Sequence, residues 1–381
     1  MHFSFYDGDF FAMVTTMERI PSPRSRGAPR REPRRGQPRP HERVSPSLAI
    51  RLAAIHLACL LTFRLTAADT VVYQTGKGHA SRASVTGTIV DCVGGQLAIR
   101  NDAGVSQMIP AERIVEVQSD WTAAETAGDQ LSRDGKLSEA VQRYQQALQE
   151  ERRVWVQRQI VAKLVGNYSQ LERFDLAGDA FLRLLQSDPQ TSHVAVIPLS
   201  WTTFSPSPTL HQRAAVWMAN TQNSMSALLG ASWLLPTGQR AGAIASLQRL
   251  LADRDPRVAM LAHTQLWRTR TATVTLEDLQ GWETWLQRMP GDLRAGPYCV
   301  IGQAWSSKGS PAKSALSYLR VPILYPADRR LAAAALLSAG RELEKIGQVQ
   351  QAVTLYREVV RDYAAAPAAA EARGRLEELS L

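Results

Sequence analysis

The residues able to do chemistry are few and scattered along the chain. The seven histidines are His2, His41, His56, His79, His193, His211 and His263, and none belongs to a metal-binding pattern such as His-Glu-x-x-His. Only three cysteines occur, Cys59, Cys92 and Cys299, with no pair at metal-ligand spacing. A Cys92–Cys299 disulfide would have to join two different structural units, and the strict geometry of the bond argues against it. Gly76-Lys77-Gly78 invites comparison with a phosphate loop. It lacks the upstream glycine, the following Ser or Thr, and a helix to open, so it reads as a surface loop. There is no Gly-x-Ser-x-Gly elbow and no dinucleotide glycine fingerprint. Glu342, Glu344 and Asp362 fall on helical faces expected to be solvated. The expectation is no catalytic residue, no metal site and no cofactor, with a divergent enzyme built around residues 189–210 as the minority alternative.

Without a local constellation to explain, attention moves to the elements. A chain of 381 residues exceeds one ordinary core, and 45% apolar with 21% charged is the composition of a folded protein. The formal charge of +9 is unevenly spread. Residues 1–68 hold eleven arginines and five acids, leaving 33 basic and 30 acidic residues in the body. A basic head on a nearly neutral body points to targeting and away from nucleic acid. Residues 1–46, Pro- and Arg-rich from Pro21 to Arg43, have no apolar period and read as a disordered leader. Arg51, the apolar run Leu52–Leu61 and the small exit Thr66-Ala67-Ala68 resemble a secretory signal peptide over residues 47–68. The run is too short to span a bilayer, so any membrane association is expected only through export or through a partner. The length of residues 1–43 suggests a translation start downstream, near Val44.

Residues 69–118 have a different texture. Thr70–Tyr73, Val85–Cys92, Gln96–Arg100, Ser106–Ile109 and Ile114–Val117 are short β-branched runs separated by turns. Gly94-Gly95 suits a two-residue hairpin, and Pro110–Arg113 a single helical turn. Five strands in so short a span lead to the expectation of a small SH3-like or Sm-like barrel, capping the helices that follow.

From Trp121 onward a helical repeat emerges. The first unit supplies Gly128, Leu131, Gly135, Ala140, Tyr144 and Ala147. These are small residues where two helices would cross, a large one between them, and a turn glycine. Tyr168, Phe174, Ala177, Phe181 and Pro189 fill matching slots in the second unit, with Val165 in place of the crossing glycine. The last two units share Gly302/Gly340, Gly309/Gly347, Ser314/Ala352 and Tyr318/Tyr356 at one constant offset. Residues 119–190 and 293–381 are therefore read as repeat units, the latter ending in a capping helix. Residues 191–212, rich in proline, are read as a loop in which Trp201 and Phe204 either anchor a partner or pack back. Residues 213–292 are read as divergent helices, with a HEAT-type turn at Asp253–Pro256 and a helix from Thr275 burying Leu279, Trp282, Leu286 and Met289.

These slots resemble the tetratricopeptide repeat, two antiparallel helices per unit. Leu355–Tyr363 followed by Pro367–Ala372 is similar to repeats of outer-membrane assembly lipoproteins and Tol–Pal-associated factors of the bacterial cell envelope. Those repeats read Tyr-Pro-x-Ser-Pro-x-Ala, and here Ala364 and Ala366 replace the first proline and the serine. The resemblance implies a mainly α, right-handed helical-repeat solenoid of tetratricopeptide/HEAT type behind the barrel. It also implies a non-enzymatic scaffold in the periplasm or envelope, cytoplasmic if the leader is not a signal peptide.

Transferring the family's groove positions places Glu125, Asp129, Ser132 and Arg133 on the concave face in the first unit, with Ser169 and Gln170 in the second. Gln303, Ser306 and Ser307 follow in the third, and Arg341, Glu344 and Lys345 in the fourth. The expected partner is a protein or peptide and not nucleic acid. Recognition of a glycan or peptide through the β module is the alternative.

Overall fold

The computed structural model describes residues 68–76, 81–202 and 205–379. The leader and the signal-like segment up to residue 67 lie outside the described residues, as do Lys77, Gly78 and Phe204.

Five antiparallel strands come first: β1 (Asp69–Thr75), β2 (Ser81–Val93), β3 (Gln96–Arg100), β4 (Ser106–Pro110) and β5 (Ile114–Gln118). Val71, Ile89, Leu97, Ile99 and Ile109 are buried while their chain neighbours are more open, so one face turns inward. Gly94 and Gly95, at φ of +59° and +72°, close the β2–β3 hairpin. Ala111–Arg113 form a 3-10 turn between β4 and β5.

The strands run in the order β4-β3-β2-β1-β5 and do not close. The expected barrel is thus corrected to an open sheet, and its core gives the reason. The inner face shares one apolar cluster with Ala140, Tyr144, Trp155, Val156 and Ile160 of the helices. A small barrel must make its second layer from its own strands; here helices supply it. Polar contacts fasten the join. Arg158 donates to Asp91 Oδ1 at 2.7 Å and to the Cys92 carbonyl at 3.0 Å, and the Gly94 N–H donates to Asp188 Oδ1 at 3.1 Å.

Fourteen α-helices follow among the described residues. The first four are α1 (Ala123–Arg133), α2 (Leu137–Glu150), α3 (Val154–Gln170) and α4 (Phe174–Ser187). The middle comprises α5 (Pro208–Ala219), α6 (Ser224–Leu234), α7 (Arg240–Leu250), α8 (Pro256–Trp267) and α9 (Leu276–Leu286). The last third holds α10 (Ala295–Ser307), α11 (Pro311–Leu324), α12 (Arg329–Lys345), α13 (Val349–Asp362) and α14 (Ala368–Leu379). Consecutive helices pack on one another through α1–α4, α5–α8 and α10–α14. Side-chain caps fix several starts: the Thr122, Ser207, Asn223, Asp255, Thr275 and Asp328 side chains each accept a first-turn N–H.

The repeat slots are occupied as their chemistry requires. Gly128 lies under the Tyr144 ring, Gly302 under Tyr318 and Gly340 under Tyr356. A Cβ at Gly128 or Gly302 would stand 2.7 or 2.9 Å from a ring carbon, too close for any side chain. Gly135, Gly309 and Gly347 turn between paired helices at φ of +74°, +64° and +76°. Glu172 takes the same place in the second unit at φ +58°.

The described residues of the segment expected to be a loop, 191–202 and 205–212, carry regular structure. Thr191 Oγ1 accepts from the His193 N–H and starts a 3-10 turn, Ser192–Val196. Ile197, Leu199 and Trp201 then enter the largest apolar cluster, with Trp201 lying over Gly296. Trp201 is therefore packed back and is not an exposed anchor. α5 begins at Pro208, because Ser207 caps it and proline at a first position wastes no hydrogen bond. The stack also turns back on itself. α12 packs against α3, and the Arg330 guanidinium lies 4.9 Å from the centre of the Phe174 ring.

Candidate interaction surface

The first helix of each hairpin carries the residues expected to face a groove. Glu125 and Asp129 on α1 meet Lys163 of α3, whose Nζ donates to Glu125 Oε1 at 3.0 Å and Asp129 Oδ2 at 2.9 Å. Asp129 also accepts from the Tyr144 hydroxyl at 2.7 Å, so the ring that fills the crossing is itself anchored. Glu125 is almost fully buried, with Oε2 unpaired. Burial raises its carboxyl above the usual range although Lys163 pulls the other way. Burial works against the Lys163 ammonium too, yet Asp129 and Glu125 together hold its pKa above the ordinary lysine value. Ser132 is half-buried; Arg133 is exposed and donates to Gln130 Oε1 at 2.8 Å. Ser169 and Gln170, half-buried at the end of α3, join no charged cluster.

The last third repeats this arrangement between α10, α12 and α14. Ser306 donates to Glu342 Oε1 at 2.7 Å, and Lys345 Nζ reaches Glu342 at 2.6 Å and Ser306 at 3.0 Å. Arg341 pairs with Glu371, while Glu344 accepts from Arg375 and from the Tyr356 hydroxyl. Ser307 donates to the Thr271 carbonyl at 2.6 Å, and Gln303 is half-buried. First helices of neighbouring hairpins therefore stand side by side, and their polar residues link across the junctions. Three of the expected residues, Arg133, Arg341 and Lys345, are exposed. Elsewhere on the first hairpin, an open groove of about 540 Å³ is lined by Ala127, Gln130, Leu131, Glu139, Arg143 and Gln146.

The groups with reactive potential are muted by their surroundings. Burial pushes the Cys92 thiol up to about 11 and the Cys299 thiol to about 12, so neither offers a thiolate at neutral pH. Both thiols are free. Burial pushes the His193 imidazole down to about 4. Among the described residues, no group of three or more His, Cys, Asp or Glu is placed to hold a metal ion, and no helix is long and apolar enough to cross a membrane.

Sequence reasoning missed three charged residues, of which Lys163 organises this surface. Lys163, the hub for Glu125 and Asp129, has no motif around it. Arg330 lies on a helix of alanines and leucines. Glu172 had a readable signal, since it occupies the turn position that holds glycine in three other units. No known protein family matches the chain, and no curated protein is similar to it.

Proposed function

We propose that the chain is a non-enzymatic interaction scaffold, a right-handed solenoid of tetratricopeptide type that holds a protein or peptide partner on its first-helix face. The observation that supports this reading is the polar ladder between neighbouring first helices: Glu125 and Asp129 to Lys163, Ser306 to Glu342 and Lys345, and Arg341 to Glu371. A row of both charges at each end of the helical stack suits a partner of mixed charge, through hydrogen bonds supplied by many side chains and not by one deep anchor. The reading takes the chain to the cell envelope on the pattern from Arg51 to Ala68 in its sequence.

A second reading rests on β4, which ends the sheet with one side unpaired and exposes Val105 and Met108 beside it. Such an edge can accept an extended peptide as an added strand. A photo-crosslinking amino acid placed at Arg133, Arg341 or Lys345 of the full chain, in cells, tests both. Adducts to one partner from these positions, and none from Arg357 on α13, support the scaffold reading. Adducts confined to Val105 and Met108 transfer the function to the sheet.

A further inference from the structure

A cavity of about 120 Å³ opens where the helical stack turns back on itself, and five distant segments build it. They are the α3–α4 turn with Glu172, the segment with Ser200 and Thr202, α6, the start of α12 and the start of α14. Phe174 and Trp233 give it apolar walls, Ser200 and Thr202 polar ones. Glu172 and Arg330 bring opposite charges to the same lining.

No salt bridge joins those two charges among the described residues. Glu172 is exposed, while the Arg330 guanidinium lies over the Phe174 ring with its Nε lacking a hydrogen-bond acceptor among the described residues. Arg330 Nε is shielded from water without an acceptor, and an unmet buried donor is costly unless something else completes it. The Glu172 backbone adds an independent observation. It holds φ +58° where the three matching turns have glycine, so a side chain is presented here at the expense of local strain. An outlier of this kind, lining a cavity beside a guanidinium whose Nε lacks an acceptor, points to a ligand.

We infer that the cavity binds a small zwitterion of the α-amino acid class, its carboxylate on Arg330 and its ammonium on Glu172. A simple anion would meet the Glu172 carboxylate, and a simple cation the Arg330 guanidinium; only a molecule carrying both charges is attracted at each end. The guanidinium fork suits a carboxylate in particular. Size limits the class further. A water occupies roughly 10–15 Å³ measured in this way, so the space admits on the order of ten water-sized groups. That accommodates glycine, alanine or serine, and excludes the aromatic amino acids and arginine. Because the walls come from both sides of the fold-back, the bound ligand would tie the last third of the chain to the second hairpin.

Thermal unfolding and calorimetry on the full chain test this with glycine, L-alanine and L-serine at millimolar concentration, against acetate and methylammonium. The amino acids should raise Tm and bind measurably, and the single-charge probes should not. Arg330→Gln should weaken binding at least about tenfold, the size of one lost charge-assisted contact. Glu172→Gly gives the sharper readout: it relieves the strained turn, so Tm without ligand should rise while the response to amino acids is lost. A Glu172→Gly protein that still responds, an equal response to acetate or methylammonium alone, or no response to any amino acid would each overturn the inference.

Discussion

In α1–α2, α10–α11 and α12–α13, a glycine meets a tyrosine sixteen residues further on, inside one hairpin. The middle of the chain uses the same small-against-large contact with none of that regularity. Gly178 on α4 faces Trp217 on α5, Gly230 approaches the backbone at Ala214 and Met218, and Gly296 lies against Trp201 from a segment nearly a hundred residues earlier. The physics is common to both regions: two helices come close only where one has no side chain, and a large ring fills the remaining space. What differs is the distance along the chain between the partners. A constant distance produces a visible repeat, and a varying one hides an equally close-packed core.

The largest effects should come from removing the rings, and they test whether the two regions are equivalent. Tyr144→Ala and Tyr356→Ala should each lose about 3–5 kcal/mol in urea unfolding, the range for deleting a buried aromatic. Trp201→Ala, in the irregular region, should lose as much. A loss near zero at Trp201 alongside large losses at the tyrosines would mean the middle is held by something other than its ring-on-glycine contact.

Filling the glycines should act in the same direction with smaller size. Gly178→Ala, Gly296→Ala and Gly340→Ala each place a methyl inside an aromatic ring's space, at about 1–3 kcal/mol by overpacking. The irregular sites are the stricter, since the Trp217 and Trp201 indoles are held by their surroundings; the Trp217 Nε1–H donates to Asp179 at 3.1 Å. Chemical denaturation of the three variants side by side gives the ranking, and a larger loss at Gly340 than at both others would reverse it.

These contacts also explain what was legible beforehand. β-Branched runs between turns placed the five strands, and the glycine–tyrosine spacing placed the outer hairpins, because each signal is local. Closure of the sheet is not local. It depends on whether Leu97 and Ile109 are covered by strands or by helices, and Tyr144 and Trp155 lie far along the chain. Trp201 read as loop because the prolines around it forbid helix, but its burial is decided by Gly296. The groove positions came from the repeat register, which places a residue without naming its partners. Lys163 and Arg330 had no register of their own, and the cavity that Arg330 lines is assembled from segments no local pattern connects.

A titration separates the sheet–helix junction from the outer repeats. His193 lies beside Asp188, whose carboxylate holds the Gly94 N–H, and burial keeps its imidazole neutral down to about pH 4 against 6.5 in the free side chain. The unfolded chain therefore takes up this proton first as pH falls. Stability contributed by the neutral ring is present above pH 6.5 and is lost on the way down to about 4, by roughly 1–3 kcal/mol in total. His193→Gln should flatten that limb in urea midpoints collected from pH 7 to 4. Parallel slopes for the two proteins would remove His193 from the acid response.

The smallest effect has the opposite sign and isolates the reason for the glycines. Gly166 sits within α3, in the second unit, with no atom inside 4 Å of where a Cβ would be and an ordinary helical φ. It neither lets a ring approach nor turns the chain, so it carries only the entropic penalty of glycine in a helix. Gly166→Ala should therefore stabilise by about 0.5–1 kcal/mol, where the same change at Gly340 destabilises. Thermal unfolding of the two variants and the double variant measures both signs at once, and distant sites should add. A loss at Gly166 would show that α3 faces a neighbour there, and the distinction between crossing glycines and incidental ones would have to be redrawn.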